Sequence, residues 1–414
     1  MGYSLLESCR VLDLTTEMGF FAGKVLADLG ADVIKVERPG GDLSRRRGPL
    51  APAPCLSEAS LYWQAYNTGK RGITLDWTTI SGRQLFERLA RTCDVVLESF
   101  PPGHLAQHGL GYANLSQWNP HIVLTSISPY GQTGPYKDDM ADDLEVMAAS
   151  GFLSLLGSRK RPPVGVSEPQ TYLWGGLNAA VSSLIAFVYR QLSGQGQWVD
   201  VSCQASMVTV EGQAPIFWDV LQQKTYREGN YLSGRNIHGA RVCAIYPCRD
   251  GYVNFSLYAG VAGRLSNQGL AQWMRDRHAP QSFVQTIDWG QWNVVTALPE
   301  QIVQIEADIG QFFQTITKKE FFEAAITYRI LGYPVSDAHD LLENEQLASM
   351  GFWQHIDLGS WGTVRLPGPY GEFSDSTWTS SRPAPQVGEH NAEIYAELGL
   401  EPEDLAILAQ SRVI

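Results

Sequence analysis

The 414-residue sequence contains no CxxC pair, no GxGxxG or GxxxxGK[ST] loop and no GxSxG elbow, and each absence removes a class of chemistry. Without a glycine-rich phosphate loop, the first apolar strand runs instead into "TTEMGFFAG", which argues against a dinucleotide-dependent oxidoreductase or a P-loop kinase. Without the elbow, acyl hydrolysis by an activated serine has no support. The six cysteines (Cys9, Cys55, Cys93, Cys203, Cys243, Cys248) are scattered, with no histidine at zinc-ligand spacing, so reduced thiols are expected. Charged residues make up only 18% and the net charge is −12, which disfavours nucleic acid or an anionic membrane as the main partner. No uninterrupted apolar run reaches the roughly 18 residues that span a bilayer. The start "MGYSLLESCRVLDL" carries no basic region or cleavage site, so a cytoplasmic protein is expected.

A chain this long exceeds a single ordinary core, so two domains are expected. "RVLDL" (10–14) reads as a buried strand, Phe21, Val25 and Leu29 recur on one helical face, and "ADVIKVE" reads as a second strand, a β-α-β unit that implies parallel pairing. "GITLD" (72–76), "DVVLESF", "HIVLTSIS" and "QWVDVS" continue the alternation. A helix over "SGRQLFERLARTC" has Ser81 and Gln84 at capping-box spacing. A longer helix carries Leu177, Val181, Leu184, Ile185, Val188 and Leu192 on one stripe and ends at Gly194. "CAIYPCRDGYVNFS" signals a hairpin. The expected organisation is α/β: residues 1–225 form most of a large domain, 226–325 a small α+β domain, and 326–414 return to the large one. "SSRPAPQVGEH" reads as a surface loop.

In so acidic a chain, the cluster Arg38, Arg45, Arg46 and Arg47 past the second strand points to a phosphate-rich ligand, because guanidinium forks match phosphate oxygens. Lys70 and Arg71 precede the next strand and are expected at the same sheet edge. His104 and His108 are four apart, but without a third ligand no metal site is expected. Trp218, Trp273, Trp289 and Trp292 suit an aromatic ligand or a core, with the core favoured.

Eight strings in order, "VLDLTTEMGFFAGKVLADLGADVIKVERPGGD", "NTGKRGITLD", "LESFPPG", "SISPYGQTGPY", "SGQGQWVDVS", "YREGN", "YPCRDGYV" and "RPAPQVGEHN", resemble the family III CoA-transferases, which include acyl-CoA racemases. The resemblance implies a Rossmann-like large domain of N- and C-terminal segments plus a small domain, with two chains interlocked. Coenzyme A or acyl-CoA would be the substrate, with no metal. It places Arg38, Lys70, Arg71, Ser99 and Phe100 in motifs that line the CoA site, and Glu17 near the thioester, where a glutamine occurs in formyl-CoA transferase. Ser99 stands where the family usually has asparagine.

Family transferases relay the acyl group through an aspartate. Counting back from "SGQGQ" without gaps puts that position on Tyr172, whose ordinary pKa of about 10 leaves it protonated at neutral pH. Glu168 is the one local substitute, displaced by about 6 Å if the intervening residues are helical and roughly 13 Å if extended. Asp142 and Asp143 match a segment that supplies proton-transfer groups in the racemases, but no histidine precedes them; they read as acids favoured at a helix start. The chain thus resembles the non-nucleophilic subunit of a heteromeric transferase of the succinyl-CoA:benzylsuccinate type, its partner a homologous subunit that supplies the aspartate. The alternatives are a self-sufficient homodimer using Glu168 and a non-catalytic acyl-CoA-binding protein.

Overall fold

Six strands make one all-parallel sheet in the order β3-β2-β1-β4-β5-β6 in the computed structural model, which describes residues 4–51, 60–358, 361–376, 378 and 382–414. They are β1 Arg10–Asp13, β2 Asp32–Glu37, β3 Arg71–Thr74, β4 Val95–Glu98, β5 Val123–Ser128 and β6 Trp198–Ser202. Their side chains alternate between two cores. Leu12, Ile34, Ile73, Val96 and Leu124 face one side, and Val11, Val33, Val95, Val123 and Val201 the other. Burial on both faces is why β1 to β5 read as nearly continuous apolar runs.

The helices follow from local signals. Helix α1 (Phe20–Asp28) is buried along almost its whole length, and α2 (Leu61–Asn67) begins at Ser60, whose hydroxyl accepts from Trp63 N. Helix α3 (Ile80–Thr92) is capped by Thr79, not by the Ser81 expected from spacing: the Thr79 hydroxyl accepts from Gly82 N. Short helices α4 (His104–Gln107) and α5 (Tyr112–Trp118) follow β4, and α6 (Asp143–Ala149) starts at Asp142 in a capping box with Glu145. Helix α7 (Gln170–Ser193) ends in a left-handed cap at Gly194, as expected. Most of its apolar stripe, however, points outward: Val181, Ile185, Val188 and Leu192 are exposed, whereas Leu177 and Leu184 pack partly buried against the core. The buried face is Gly175, Gly176, Ala179, Ala180, Ser183 and Ala186, because α7 lies close along α1; a Cβ at Gly176 would come within 3.0 Å of Phe21 Cβ. By length and composition α7 could cross a membrane, but this tight packing on α1 and β5 makes it a core helix. Helices α8 (Cys203–Glu211) and α9 (Gln213–Leu221) continue from β6, and Ile216, Trp218, Val220 and Leu221 are exposed on α9.

The chain divides into two compact units, one of Met1–Leu153, Gly165–Gln223 and Gln346–Ile414, the other of Ser154–Val164 and Lys224–Glu345. In the first, the C-terminal segment covers the sheet's β3 edge. Gly72 N donates to His390 Nδ1 at 3.0 Å, Thr74 N to Asn391 Oδ1 at 2.9 Å, and the Tyr395 hydroxyl to Thr74 O at 2.7 Å. The stretch expected as a surface loop is therefore in part an edge cover, with Ala384 and Pro385 buried. Gly72 permits it, since a Cβ there would meet Pro385 Cβ at 2.7 Å. Covering an edge strand also removes a template for unwanted pairing.

The second unit has a three-stranded antiparallel sheet of Ile245–Cys248, Gly251–Phe255 and Gly332–Pro334. Phe255, Phe313 and Phe321 pack edge to face beneath it, with Trp273 on Phe312 at 4.9 Å between ring centroids. Trp273 and Trp289 are buried core residues, whereas Trp218 is exposed on α9. Cys9, Cys93, Cys203, Cys243 and Cys248 are free thiols, and Cys55 lies outside the described residues.

Candidate active site

A cleft of about 670 Å³ opens beyond the carboxyl ends of β1, β2 and β4, where the strand order reverses and open parallel sheets bind their ligands. Leu14–Met18 after β1 line it, with Val36–Pro39 at the end of β2 and Gly41–Ser44 beyond it, Trp77 after β3, Phe100 after β4, and Tyr172 from α7.

The floor is built on a charge cluster inside the protein. Asp13, Lys35 and Lys70 have no side-chain exposure. Lys70 Nζ donates to Asp13 Oδ2 at 2.8 Å, Asn67 Oδ1 at 2.8 Å and Phe20 O at 3.0 Å, while Lys35 Nζ donates to the Asp13 carboxylate and to Thr15 O. Asp13 Oδ1 in turn accepts from Thr15 N at 2.9 Å and from the Thr15 hydroxyl at 2.6 Å, which holds the turn that begins the cleft wall. Burial alone would raise the Asp13 pKa, but the two ammonium groups outweigh it and bring it to about 2. Burial brings Lys70 down to about 8, against the pull of Asp13. Gly23 makes room, because a Cβ there would lie 2.3 Å from Asp13 Oδ2.

Glu98 at the end of β4 is a second buried carboxyl, within reach of the Ser126 hydroxyl, and it accepts from Phe100 N at 2.8 Å. That bond shapes the turn from which Ser99 Oγ accepts Thr16 N at 2.7 Å, tying the β4 loop to the β1 loop. Burial pushes Glu98 up to about 7. A carboxyl raised above its unfolded value binds more protons when folded, so its ionisation lowers stability as pH rises from about 4.5 to about 7. Glu98→Gln is therefore expected to flatten this pH dependence and to stabilise the protein at pH 8 by about 1–3 kcal/mol. Denaturant midpoints of both proteins at pH 5 and pH 8 check it.

The expected site residues divide. Arg38, Glu17, Phe100 and Tyr172 line the cleft together, and Ser99 braces its wall. Lys70 lies in the core. Arg71 sits at the opposite, amino edge of the sheet, donating to Asp32 Oδ2 at 2.6 Å, Glu393 at 2.6 Å and Glu397 at 2.7 Å. The expectation of one shared edge fails because a residue preceding a parallel strand lies at the end away from the ligand. Arg45 is also committed, clamped on Glu37 at 2.6 Å and on Pro385 O at 2.8 Å over the Trp63 ring. Arg46 is exposed.

Tyr172, in the first turn of α7, faces the cleft. Burial first, then Asp142, Asp143 and Glu17, push its phenol above the ordinary range, so it stays protonated and is no nucleophile at neutral pH. Glu168 is exposed before α7, near Tyr66, and does not line the cleft. Asp142 caps α6, and Asp143 Oδ1 accepts from Thr171 N and the Thr171 hydroxyl, both at 2.7 Å. Arg47 pairs with Glu17 and stacks on Tyr62, its guanidinium carbon 4.2 Å from the ring centroid. His104 packs between Phe100 and His108, its ring 4.9 Å from the first and 4.7 Å from the second; no cluster of three metal-ligating residues occurs among the described residues.

Thr15, Thr16, Met18 and Trp77 were not singled out by motif. Their signal is positional, since each follows the carboxyl end of a buried parallel strand. The buried cluster had a signal too: Asp in "RVLDL" and Lys in "VIKVE" interrupt apolar strands, and charges in such places must be paired.

A family model described as CoA-transferase family III matches residues 6–391. Subunit BbsE of the succinyl-CoA:(R)-benzylsuccinate CoA-transferase of Thauera aromatica is 36% identical over 395 residues, covering 94% of this chain and 93% of that one. The succinate–glutarate CoA-transferase of Agrobacterium fabrum is 30% identical over 405 residues, 95% of each. A CaiB/BaiF family protein from Brucella suis has a solved structure that matches with a TM-score of 0.82 at 25% identity, over 96% of this chain and 100% of that one.

Proposed function

The chain belongs to CoA-transferase family III, and from that premise we propose that it is the subunit without the nucleophile in a cytoplasmic, two-chain transferase that moves CoA from a succinyl-CoA-like donor to a carboxylic acid. The family's chemistry is CoA transfer between an acyl-CoA and an acid. An aspartate oxygen attacks the thioester carbonyl and the C–S bond breaks. The thiolate then attacks the resulting anhydride at the aspartyl carbonyl, releasing the first acid. The second acid takes over the CoA by the same steps in reverse.

The observation that carries the reading is Tyr172, a protonated phenol on the cleft wall where that relay needs an ionised carboxylate. The exposed position of Glu168 supports it further. So do the uncovered apolar side chains of α7 and α9, Val181, Ile185, Leu192, Ile216 and Trp218, which suit burial against a homologous chain in an interlocked pair. The relative BbsE is by name a subunit of such a transferase. In this reading Arg38 contacts CoA phosphate, Phe100 flanks the nucleotide, and the acyl end lies toward Glu17 and Tyr172.

The chain purified alone, given succinyl-CoA and an aromatic succinate, is expected to transfer no CoA. Co-expressed with a homologous chain that carries the aspartate, it is expected to turn over at ordinary rates, about 1–10³ per second. Turnover at such rates by the lone chain sinks the reading. A hydroxylamine-sensitive adduct on the Glu168 peptide would then mark a self-sufficient homodimer, and CoA binding without turnover beside any partner would mark a binding protein.

A further inference from the structure

Arg47 stands beside two residues that line the cleft: it pairs with Glu17, and its field reaches Tyr172. Its planar guanidinium is stacked on Tyr62, which orients the fork. Its carbonyl accepts from the Ser60 hydroxyl, and Ser60 caps α2, the helix that carries Tyr62 and Tyr66. The Tyr62 and Tyr66 rings lie 4.7 Å apart, and Phe21 meets Tyr66 edge to face at 6.1 Å. The cation thus sits beside an aromatic wall, and its field reaches both Tyr172 and Glu17.

Its partner is Glu17, a cleft-lining side chain, and the two side chains are 37% and 31% exposed. An ion pair so open to solvent adds little stability, so an incoming anion displaces it at small cost. Arg45, two residues away, is buried and clamped by three hydrogen bonds, which is what a structural arginine looks like in the same loop.

We propose that Arg47 is the subsite for the free carboxylate of a dicarboxylic acyl group and that Glu17 occupies it until substrate arrives. The proposal rests on the cleft being the acyl-CoA site and names the substrate class that site selects. The fork binds a carboxylate in two parallel hydrogen bonds. Displaced Glu17, already partly exposed, turns to solvent, so it leaves without requiring a second cation.

The test is calorimetric titration of the full-length chain with succinyl-CoA, butyryl-CoA and free CoA. Butyryl-CoA has a methyl group where succinyl-CoA has the carboxylate. The unaltered chain is expected to prefer succinyl-CoA by about tenfold to a hundredfold, the range for a hydrogen-bonded charge. Arg47→Met is expected to erase that preference. Glu17→Gln, which removes the competing carboxylate and keeps Arg47, is expected to increase it. The proposal is overturned if the unaltered chain does not discriminate, if Arg47→Met still does, or if Glu17→Gln leaves the preference unchanged or lower. Failure of the unaltered chain to bind even free CoA overturns the placement of CoA in this cleft, and the subsite with it.

Discussion

Asp13→Ala is expected to lower the stability of the CoA-transferase by about 3–5 kcal/mol, the cost of removing one partner from a buried ion pair, and to lower the melting temperature by roughly 6–20 °C. Two lysines share this one carboxylate, and none of the three side chains is exposed. Without Asp13, Lys35 keeps only carbonyl acceptors, and Lys70 keeps Asn67 Oδ1 and Phe20 O, so two ammonium charges would stay in a dry core or shed protons. Lys70→Met should cost less, because Asp13 would still hold Lys35. The pH dependence has a definite sign. Asp13 titrates at about 2 when folded, below its ordinary 3.8, so its stabilisation is complete above that ordinary value and is lost as pH falls through about 2. Lys70 is depressed to about 8 from 10.5, so the unfolded chain binds more protons between those values, and stability from this group rises with pH across that window. Thermal melts of the parent, Asp13→Ala and Lys70→Met across pH 3–10 check both statements. An Asp13→Ala melt within about 2 °C of the parent would show that the cluster is not holding the floor of the cleft.

How much of this was legible beforehand depends on whether the cause was local. All six parallel strands were readable: burial on both faces forces apolar runs such as "DVVLESF" in β1 to β5, β6 alternates apolar with polar residues, and only the ends shift by a residue or two. The outward stripe of α7 was misleading. Leucines and valines there look like a core face, whereas the face that meets α1 is glycine and alanine selected for close approach, and periodicity alone does not reveal which face a neighbour needs. "RPAPQVGEHN" has the composition of a loop, and its docking on Gly72 is a contact across more than 300 residues of chain. In the site, Arg38 was marked by its place past the second strand and Glu17, Phe100 and Tyr172 by the family resemblance, and all four line the cleft. Arg45, Arg46 and Arg47 are indistinguishable as a triplet of letters, yet one is buried on Glu37, one is exposed, and one pairs with Glu17 in the cleft wall. Their separation comes from the tight 3-10 turn Leu43–Arg46, which aims successive side chains in different directions.

Tyr172→Asp is expected to convert the lone chain from inert to one that forms a covalent adduct at residue 172. The substitution puts a carboxylate, ordinarily ionised above about pH 4, in the first turn of α7, where the positive end of the helix dipole favours it. Asp142, Asp143 and Glu17 oppose its ionisation, as they do that of the phenol, while Arg47 lies close enough to feel this position. With succinyl-CoA, the new carboxylate should attack the thioester carbonyl, and the thiolate should return to give an enzyme-CoA thioester, which hydroxylamine cleaves. Removing a nucleophile from an established relay commonly costs factors of about 10⁴ to 10⁶. Restoring one on an otherwise intact wall should recover at least about 10³-fold over the parent, even with imperfect geometry. Peptide mass analysis after hydroxylamine treatment locates the adduct. A modified residue 172 establishes that Tyr172 occupies the nucleophile's place. An adduct on Glu168 in the parent chain, with residue 172 inert in the variant, would show that the register is wrong and that the protein kept its carboxylate four residues earlier.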